Sequence, residues 1–316
     1  MGRHLIASQF NESFNETVVR SIPDVEILRL PPGPPKLLPR DVEIMLAAPF
    51  RKAGGDLPAS PPTGWPFSLR WIQLISVGID FYPLWLFDGP VVTCARGSSS
   101  VALAEFSLAA IFAAVKRLPD VWIDGASRWT ASPIGMVEGQ TLGIVGFGSI
   151  GEALAPRARA LGMNVMAVRR SNRPIATTGV ERAADVKTVF AVSDHVVLAA
   201  PATPETDRLV NRVLLAHAKP GLHLINIARG SLIDDDALLD ALDDGRLSLA
   251  TLDVTHPEPL PEGHPFYTHP KVRLSPHTSV HTAQTRVNLA ARFADNLERF
   301  RSRAPLRDVV DLARGY

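Results

Sequence analysis

The sequence predicts an α/β protein of about two domains, the second of which is built around a mostly parallel sheet. Its 316 residues are about twice the roughly 150 residues of an average domain. Apolar residues make up 46% of the chain, which suits folded cores and excludes wholesale disorder. From about Val101 onward, short apolar runs alternate with helical patterns, which favours a parallel sheet with helices on both faces.

The first third of the chain is rich in proline and predicts a small α/β unit. Four short apolar runs separate its polar turns and possible helices, as expected for strands. These runs lie at His4–Ala7, Val25–Leu30, Val42–Ala47 and Trp71–Ser76.

The remaining two thirds predict five more strands and a set of amphipathic or buried helices. The strands are expected at Thr141–Gly146, Asn164–Val168, His195–Ala199, His223–Ile227 and Leu249–Val254. The helices are expected at Val101–Arg117, Glu152–Leu161, Asp234–Leu242 and Thr282–Arg301.

Charge and composition narrow the location and the partners. The formal net charge of +1 weighs against nucleic-acid or membrane binding by bulk electrostatics. The single cysteine, Cys94, cannot form an intrachain disulfide, which fits a reducing compartment. Met1–Phe10 becomes polar too soon for an export signal, and the apolar run Val101–Val115 is shorter than a membrane span. We therefore expect a cytoplasmic protein with no nucleic-acid or membrane partner.

A glycine pattern, G-x-G-x-x-G, follows the strand expected at Thr141–Gly146 and precedes a helix. In that setting it predicts dinucleotide binding, because the turn brings the backbone close to a pyrophosphate at the helix N-terminus. The candidate cofactor-binding residues in this turn are Gly146, Phe147, Gly148, Ser149, Ile150 and Gly151.

The end of the next strand indicates which dinucleotide is preferred. An acidic residue usually stands there to bind the ribose 2′-hydroxyl of NAD(H), but this chain has Arg169, Arg170 and Ser171. Guanidinium and hydroxyl groups can bind a 2′-phosphate, so NADP(H) is favoured and NAD(H) remains possible.

Three polar side chains, Arg229, Glu258 and His277, follow three apolar runs that are expected to be strands. These runs are His223–Ile227, Leu249–Val254 and Val272–Leu274. Ligands of open α/β sheets bind outside the carboxyl ends of the strands, so these side chains are expected to converge. His277 can donate a proton to a carbonyl oxygen, Glu258 can orient its imidazole, and Arg229 can hold a carboxylate. Together they are the candidate catalytic residues of a 2-oxo-acid reductase.

Structural roles for the same residues stay open. Arg229 could pair with the acidic run at Asp234–Asp236, Glu258 could be exposed, and His277 could lie in a turn before the last helix. His277 and His281 are four residues apart, so a metal site is a further alternative, although Pro276 and the lack of an H-E-x-x-H pattern disfavour it.

The ordered motifs resemble the D-2-hydroxyacid dehydrogenases, in particular the NADPH-using glyoxylate/hydroxypyruvate reductase branch. The resemblance runs from about Val101 to His277 and extends to the loop Gln73–Asp80. The motifs are Gly146-x-Gly148-x-x-Gly151, Asn226 to Gly230, Leu252-Asp253-Val254, Glu258-Pro259 and Pro276-His277.

This resemblance implies a Rossmann-type dinucleotide-binding domain at 99–282 and a smaller, flavodoxin-like substrate domain from residues 1–98 and 283–316. Both would be doubly wound, and the helix Val101–Arg117 would support a homodimer. Main-chain N–H groups of Val77 and Gly78 would bind the carboxylate of a small 2-oxo or 2-hydroxy acid, which Arg229 would also contact. The implied cofactor contacts are Asp253 with the nicotinamide amide, Pro201 and Thr206 along the cofactor groove, and the neighbouring Ala200, Ile227, Ala228 and His277.

Arg96 departs from the family pattern, since many members have a smaller polar residue at this position. It could contact substrate or lie at the surface. The expected reaction is hydride transfer from NADPH to glyoxylate, hydroxypyruvate or a related acid, giving a D-2-hydroxy acid. A nucleotide-sensing, co-repressor-like protein and a formate or phosphite dehydrogenase on the same scaffold are the alternatives.

Overall fold

The structure is a computed structural model that describes residues 4–50, 56–171 and 173–315. The described chain divides into two compact units. The first combines residues before Ser100 with residues from His281 onward, and the second is Ser100–Val280. The ends of the predicted substrate domain, residues 1 and 316, lie outside the described residues, and the roles of the two units stay predictions.

The first unit contains a five-stranded parallel sheet in the order β2-β1-β3-β4-β5, the order of flavodoxin-like folds. Helices α1 and α7 share one core with this sheet, in which the rings of Trp71 and Phe293 stack 5.1 Å apart. The strands are β1 (His4–Ser8), β2 (Val25–Arg29), β3 (Ile44–Ala47), β4 (Trp71–Leu74) and β5 (Val91–Thr93). The helices are α1 (Glu12–Ser21) and α7 (Ala283–Arg301).

The second unit contains a seven-stranded parallel sheet in the order β12-β11-β10-β9-β6-β7-β8. The order of the strands reverses between β6 and β9, as it does in a Rossmann fold. The predicted α/β class is therefore confirmed. The strands are β6 (Thr141–Val145), β7 (Asn164–Val168), β8 (Val180–Arg182), β9 (His195–Leu198), β10 (Leu222–Asn226), β11 (Leu247–Leu252) and β12 (Val272–Leu274). The helices are α2 (Ser100–Val115), α3 (Ser149–Ala160), α4 (Val186–Val192), α5 (Arg212–Leu215) and α6 (Asp235–Asp243).

Side-chain caps explain where two of the helices begin. Asp234 accepts a hydrogen bond from the N–H of Ala237, and Thr282 accepts one from the N–H of Thr285. Both residues were expected inside their helices, but as N-caps they stand just before α6 and α7. α3 differs more, because it begins at Ser149, three residues before the predicted start.

Two strands, β5 and β8, were not predicted, because each has only three residues and no clear alternation. Among the described helices, none combines the length and the apolar character required to cross a bilayer.

Two buried histidines connect three strands of the seven-stranded sheet. His195 Nδ1 lies 3.1 Å from His223 Nδ1, so one of these nitrogen atoms donates a hydrogen bond to the other. The outer nitrogen atoms contact Gln140 Oε1 at 2.7 Å and Thr251 Oγ1 at 2.9 Å. In its neutral form, each imidazole therefore has a hydrogen-bond partner for both ring nitrogens. Burial lowers the pKa of both rings below the ordinary 6.5.

We expect this pair to make stability depend on pH. The unfolded chain takes up protons on both imidazoles below about pH 6.5, whereas the folded pair stays neutral. The contribution of this pair to the free energy of unfolding is therefore complete above that pH. Below that pH, the free energy of unfolding decreases by about 1.4 kcal/mol per pH unit for each ring. Urea unfolding between pH 8 and pH 5 measures this slope.

The variant His195→Gln/His223→Gln should flatten the slope whatever its absolute stability, because both titrating groups are gone. The exposed His217 provides the control His217→Gln, which should keep the wild-type slope. Equal slopes in the wild type and the double variant would show that the pair does not control acid sensitivity.

Candidate functional site

The glycine turn after β6 lies directly against the chain that follows β9. Gly146 has a φ of +94°, and a Cβ atom added to it would stand 2.6 Å from the main-chain nitrogen of Ala200. By contrast, a Cβ atom at Gly148 would meet no atom of the protein within 4 Å. The turn is thus packed against the protein at Gly146 and leaves free space at Gly148. A turn whose backbone binds a ligand requires both features.

Helix α3 starts immediately after this open position. Its N-cap, Gly148, makes no side-chain capping hydrogen bond, and Ser149 and Ile150 form the first turn. Gly151 follows beneath the ring of Phe147. N–H groups at a helix N-terminus favour a bound anion, so the turn fits the pyrophosphate of a dinucleotide.

A pocket of about 330 Å³ adjoins the turn. Its lining includes Phe147 and Glu152 on one side and the guanidinium-bearing Arg169 and Arg173 on the other. Arg173 was not among the predicted site residues, although it ends the basic run after β7. Two cations facing one pocket suit a phosphate group.

The other two predicted residues of this run do not line that pocket. Arg170 lies 4.0 Å from Glu205, and both side chains are exposed. The Ser171 side chain is also exposed, and its carbonyl accepts a hydrogen bond from Arg182. Their predicted contacts with a 2′-phosphate stay predictions.

The loop after β9 is shaped by Thr206. Its hydroxyl donates to the Pro201 carbonyl at 2.7 Å and accepts from the N–H of Thr203 at 2.8 Å. Ala200 is buried against the glycine turn. The predicted residues Ala200, Pro201 and Thr206 therefore build the wall next to the glycine turn.

Three neighbouring strands, β10, β11 and β12, end at the same edge of the sheet. After β10, the side chain of the fully buried Asn226 accepts from the N–H of Ala228 and donates to the carbonyl of Arg229. Ile227 and Ala228 are buried, and the half-buried Arg229 donates to the Ala228 carbonyl at 2.7 Å. This turn fixes the backbone that carries the predicted substrate-binding arginine.

The turn after β10 packs directly on the chain after β11. A Cβ atom at Gly230 would overlap the main chain of Thr255 and His256. The Thr255 N–H donates to Glu258 Oε1 at 3.1 Å, which fixes one oxygen of that carboxylate.

The other oxygen of Glu258 faces the predicted proton donor. Glu258 Oε2 lies 2.9 Å from His277 Nδ1, and the two side chains are 35% and 30% exposed. A carboxylate at this distance selects the ring orientation and stabilises positive charge on an imidazole. The structure thus brings Glu258 and His277 together, beside the strand that carries Arg229.

Asp253 anchors the loop that carries His277. The carboxylate is 1% exposed and accepts hydrogen bonds from four groups of residues 275–279. Its main-chain carbonyl also accepts from the N–H of His277 at 2.8 Å. Its predicted contact with the nicotinamide amide stays a prediction.

In the first unit, the predicted carboxylate-binding loop follows β4. Ser76 Oγ donates to the carbonyl of Gly78 at 2.7 Å, and the Ala95 N–H donates to the carbonyl of Ser76 at 3.0 Å. Val77 and Gly78 are half-buried. The loop after β5, which carries Arg96, is thereby connected to this one.

Arg96 is not a freely exposed surface residue. Its side chain is 33% exposed, and its Nε lies 3.8 Å from Asp308 Oδ1. Asp308 Oδ2 also forms an ion pair with Arg292 at 2.7 Å. Whether Arg96 contacts substrate stays a prediction.

As to the metal alternative, the described residues contain no group of three or more His, Cys, Asp or Glu side chains that could hold a metal ion.

Known proteins resemble this chain in both sequence and structure. D-3-phosphoglycerate dehydrogenase from Bacillus subtilis is 35% identical over 78% of the chain and 48% of its own length. The chain thus spans about half of that relative. Glyoxylate/hydroxypyruvate reductase B from Pectobacterium atrosepticum is 35% identical over 72% of the chain and 75% of its own length.

A solved structure extends the similarity to the whole fold. The D-isomer specific 2-hydroxyacid dehydrogenase from Xanthobacter autotrophicus, in complex with NADPH and MES, is 27% identical with a TM-score of 0.79. It covers 100% of both chains. The family described as "D-isomer specific 2-hydroxyacid dehydrogenase, NAD binding domain" matches residues 108–279. The chain therefore belongs to the D-isomer specific 2-hydroxyacid dehydrogenase family.

Proposed function

We propose that this protein is an NADPH-dependent reductase that converts a small 2-oxo acid, such as glyoxylate or hydroxypyruvate, to a D-2-hydroxy acid. The observation that carries the proposal is the 2.9 Å contact between His277 Nδ1 and Glu258 Oε2, at the strand end next to the Arg229 turn. A histidine held by a carboxylate beside an arginine suits proton donation to a carbonyl whose acid group is bound.

Each of the three side chains has a distinct task. Arg229 binds the substrate carboxylate and carbonyl oxygen, since its planar guanidinium can donate two parallel hydrogen bonds. His277 donates a proton from Nε2 to the carbonyl oxygen, while Nδ1 stays with Glu258. Glu258 stabilises the imidazolium before transfer and orients the ring. Val77 and Gly78 bind the carboxylate through main-chain N–H groups.

The cofactor supplies the hydride when it is bound. The Gly146–Gly151 turn would hold its pyrophosphate, Pro201 and Thr206 would line its groove, and Asp253 would contact the nicotinamide amide. Arg169, with Arg173, selects NADPH, because two cations and no strand-end carboxylate favour a 2′-phosphate. The NADPH complex of the Xanthobacter relative supports this preference.

A homodimer is part of the proposal. The segment between α2 and β6 exposes Trp122 by 65% and Trp129 by 82%, and Ile134 and Met136 are exposed as well. Several large apolar side chains exposed within one segment suit a protein interface, and a second copy would cover them. The cytoplasmic location and the absence of nucleic-acid or membrane partners stay predictions.

The function is tested by NADPH oxidation with glyoxylate and hydroxypyruvate. His277→Ala should lower kcat by on the order of 10²- to 10⁴-fold, because the proton donor is lost. NADPH affinity, measured by fluorescence titration, should stay close to that of the wild type. The exposed histidine variant His217→Ala serves as the control. Wild-type turnover in His277→Ala, or no turnover of any 2-oxo acid by the wild type, would contradict the proposal.

The cofactor preference is tested by Arg169→Asp. Loss of a charge-assisted hydrogen bond, worth about 1.5–3 kcal/mol, should weaken NADPH binding by roughly ten- to hundredfold and spare NADH. The half-buried Arg246, paired with Asp244 on the turn before β11, provides the control Arg246→Asp. An unchanged ratio of NADPH to NADH affinity would remove Arg169 from the 2′-phosphate site.

The glycine turn is tested by Gly148→Ala. The new methyl group meets no protein atom, and the φ of −106° suits alanine, so the thermal unfolding midpoint should not fall. NADPH affinity should fall, because the methyl group stands where the pyrophosphate approaches. Gly125→Ala, at an open position outside the turn, is the matched control. Undiminished affinity in Gly148→Ala would place the pyrophosphate elsewhere.

A further inference from the structure

Two serine hydroxyls hold the buried carboxylate of Asp253, and the mechanism above uses neither. Ser275 Oγ donates to Asp253 Oδ1 at 2.6 Å, and Ser279 Oγ donates to Asp253 Oδ2. The N–H groups of Thr278 and Ser279 complete the set, at 2.9 Å from Oδ1 and 3.1 Å from Oδ2. Each carboxylate oxygen therefore accepts one hydroxyl and one main-chain hydrogen bond.

The two serines flank His277, two residues before it and two residues after it. His277 has a φ of +50°, in the left-handed region that costs energy for any residue with a side chain. Its N–H donates to the main-chain carbonyl of Asp253 at 2.8 Å. Asp253 thus holds residues 275–279 through five hydrogen bonds, one of which comes from the strained His277 itself.

The loop conformation decides where the imidazole stands. The Glu258 carboxylate is held independently of the 275–279 loop, because the N–H of Thr255 donates to its Oε1. The 2.9 Å distance from Glu258 Oε2 to His277 Nδ1 is therefore set by the 275–279 loop. Loss of either hydroxyl would leave part of a buried carboxylate without a donor and let the loop relax.

We propose that Ser275 and Ser279 are positioning residues that keep His277 aligned with Glu258 by acting through the Asp253 carboxylate. The inference rests on the proposed function, in which His277 is the proton donor. Both serines act on the loop, since each hydroxyl donates to the Asp253 carboxylate.

The test compares Ser275→Ala and Ser279→Ala with the wild type in NADPH oxidation. We expect kcat to fall roughly tenfold or more, since a misplacement of about 1 Å can cost on the order of 10²-fold. KM for the 2-oxo acid should stay close to that of the wild type. The pH profile of kcat should differ from that of the wild type, because the contact between His277 and Glu258 is no longer held in place. Ser275→Thr keeps the hydroxyl and should retain wild-type kcat.

Ser248→Ala is the matched control, since Ser248 lies on β11 and its hydroxyl donates to the Gly221 carbonyl at 2.7 Å, away from the 275–279 loop. It should leave kcat and the pH profile unchanged. Thermal unfolding identifies a variant that does not fold, and the half-buried Ser275 keeps the test valid if the buried Ser279 proves essential for folding.

Wild-type kcat and pH profile in both alanine variants would overturn the positioning role, as would a Ser275→Thr variant as slow as Ser275→Ala. The proposed function fails separately, through wild-type turnover in His277→Ala. If His277→Ala were inactive while both serine variants kept the wild-type kcat and pH profile, the result would therefore refute the serine role alone.

Discussion

The site depends on the direct main-chain contact between Gly230 and the segment Thr255–His256. No side chain fits at Gly230, because its first carbon would overlap the neighbouring backbone. The contact fixes the loop after β10 on the loop after β11. Arg229 immediately precedes the contact, and Glu258 follows it by two residues. Parallel pairing of β11 with β12, in which Leu252 is the partner of Leu274, then brings the His277 loop to the same edge.

Buried and half-exposed groups divide the work at this edge. The Glu258–His277 pair is about one-third exposed on each side, and such a pair contributes about 1 kcal/mol or less to stability. It cannot be what holds the loops in place. The buried Asp253 carboxylate can, because each donor removed from it leaves an oxygen unsatisfied, at a cost of about 1–3 kcal/mol. Asp253 thus sets the geometry, while the more exposed pair keeps access to solvent.

The sequence predicted the features that depend on local spacing. The glycine turn, the strand ends of Arg229, Glu258 and His277, and the basic run after β7 all follow from short patterns. Contacts between distant segments could not be predicted in this way. Ser275 and Ser279 are ordinary turn residues until the fold brings them to Asp253, and Arg173 joins Phe147 in lining one pocket only in the folded chain. The short strands β5 and β8 carry too few residues for a periodic signal.

Histidine shows most clearly why residue type alone cannot decide function. His195 and His223 stand at the amino ends of β9 and β10, where each ring is buried and bonded in a way that only its neutral form satisfies. His277 stands past the carboxyl end of β12, partly in solvent and opposite a carboxylate. Water and a negative partner both stabilise a charged imidazole, whereas burial against a second imidazole opposes it. The same type of side chain therefore supports the sheet at one edge, and at the other it stands beside a carboxylate, where the proposed function needs a proton donor.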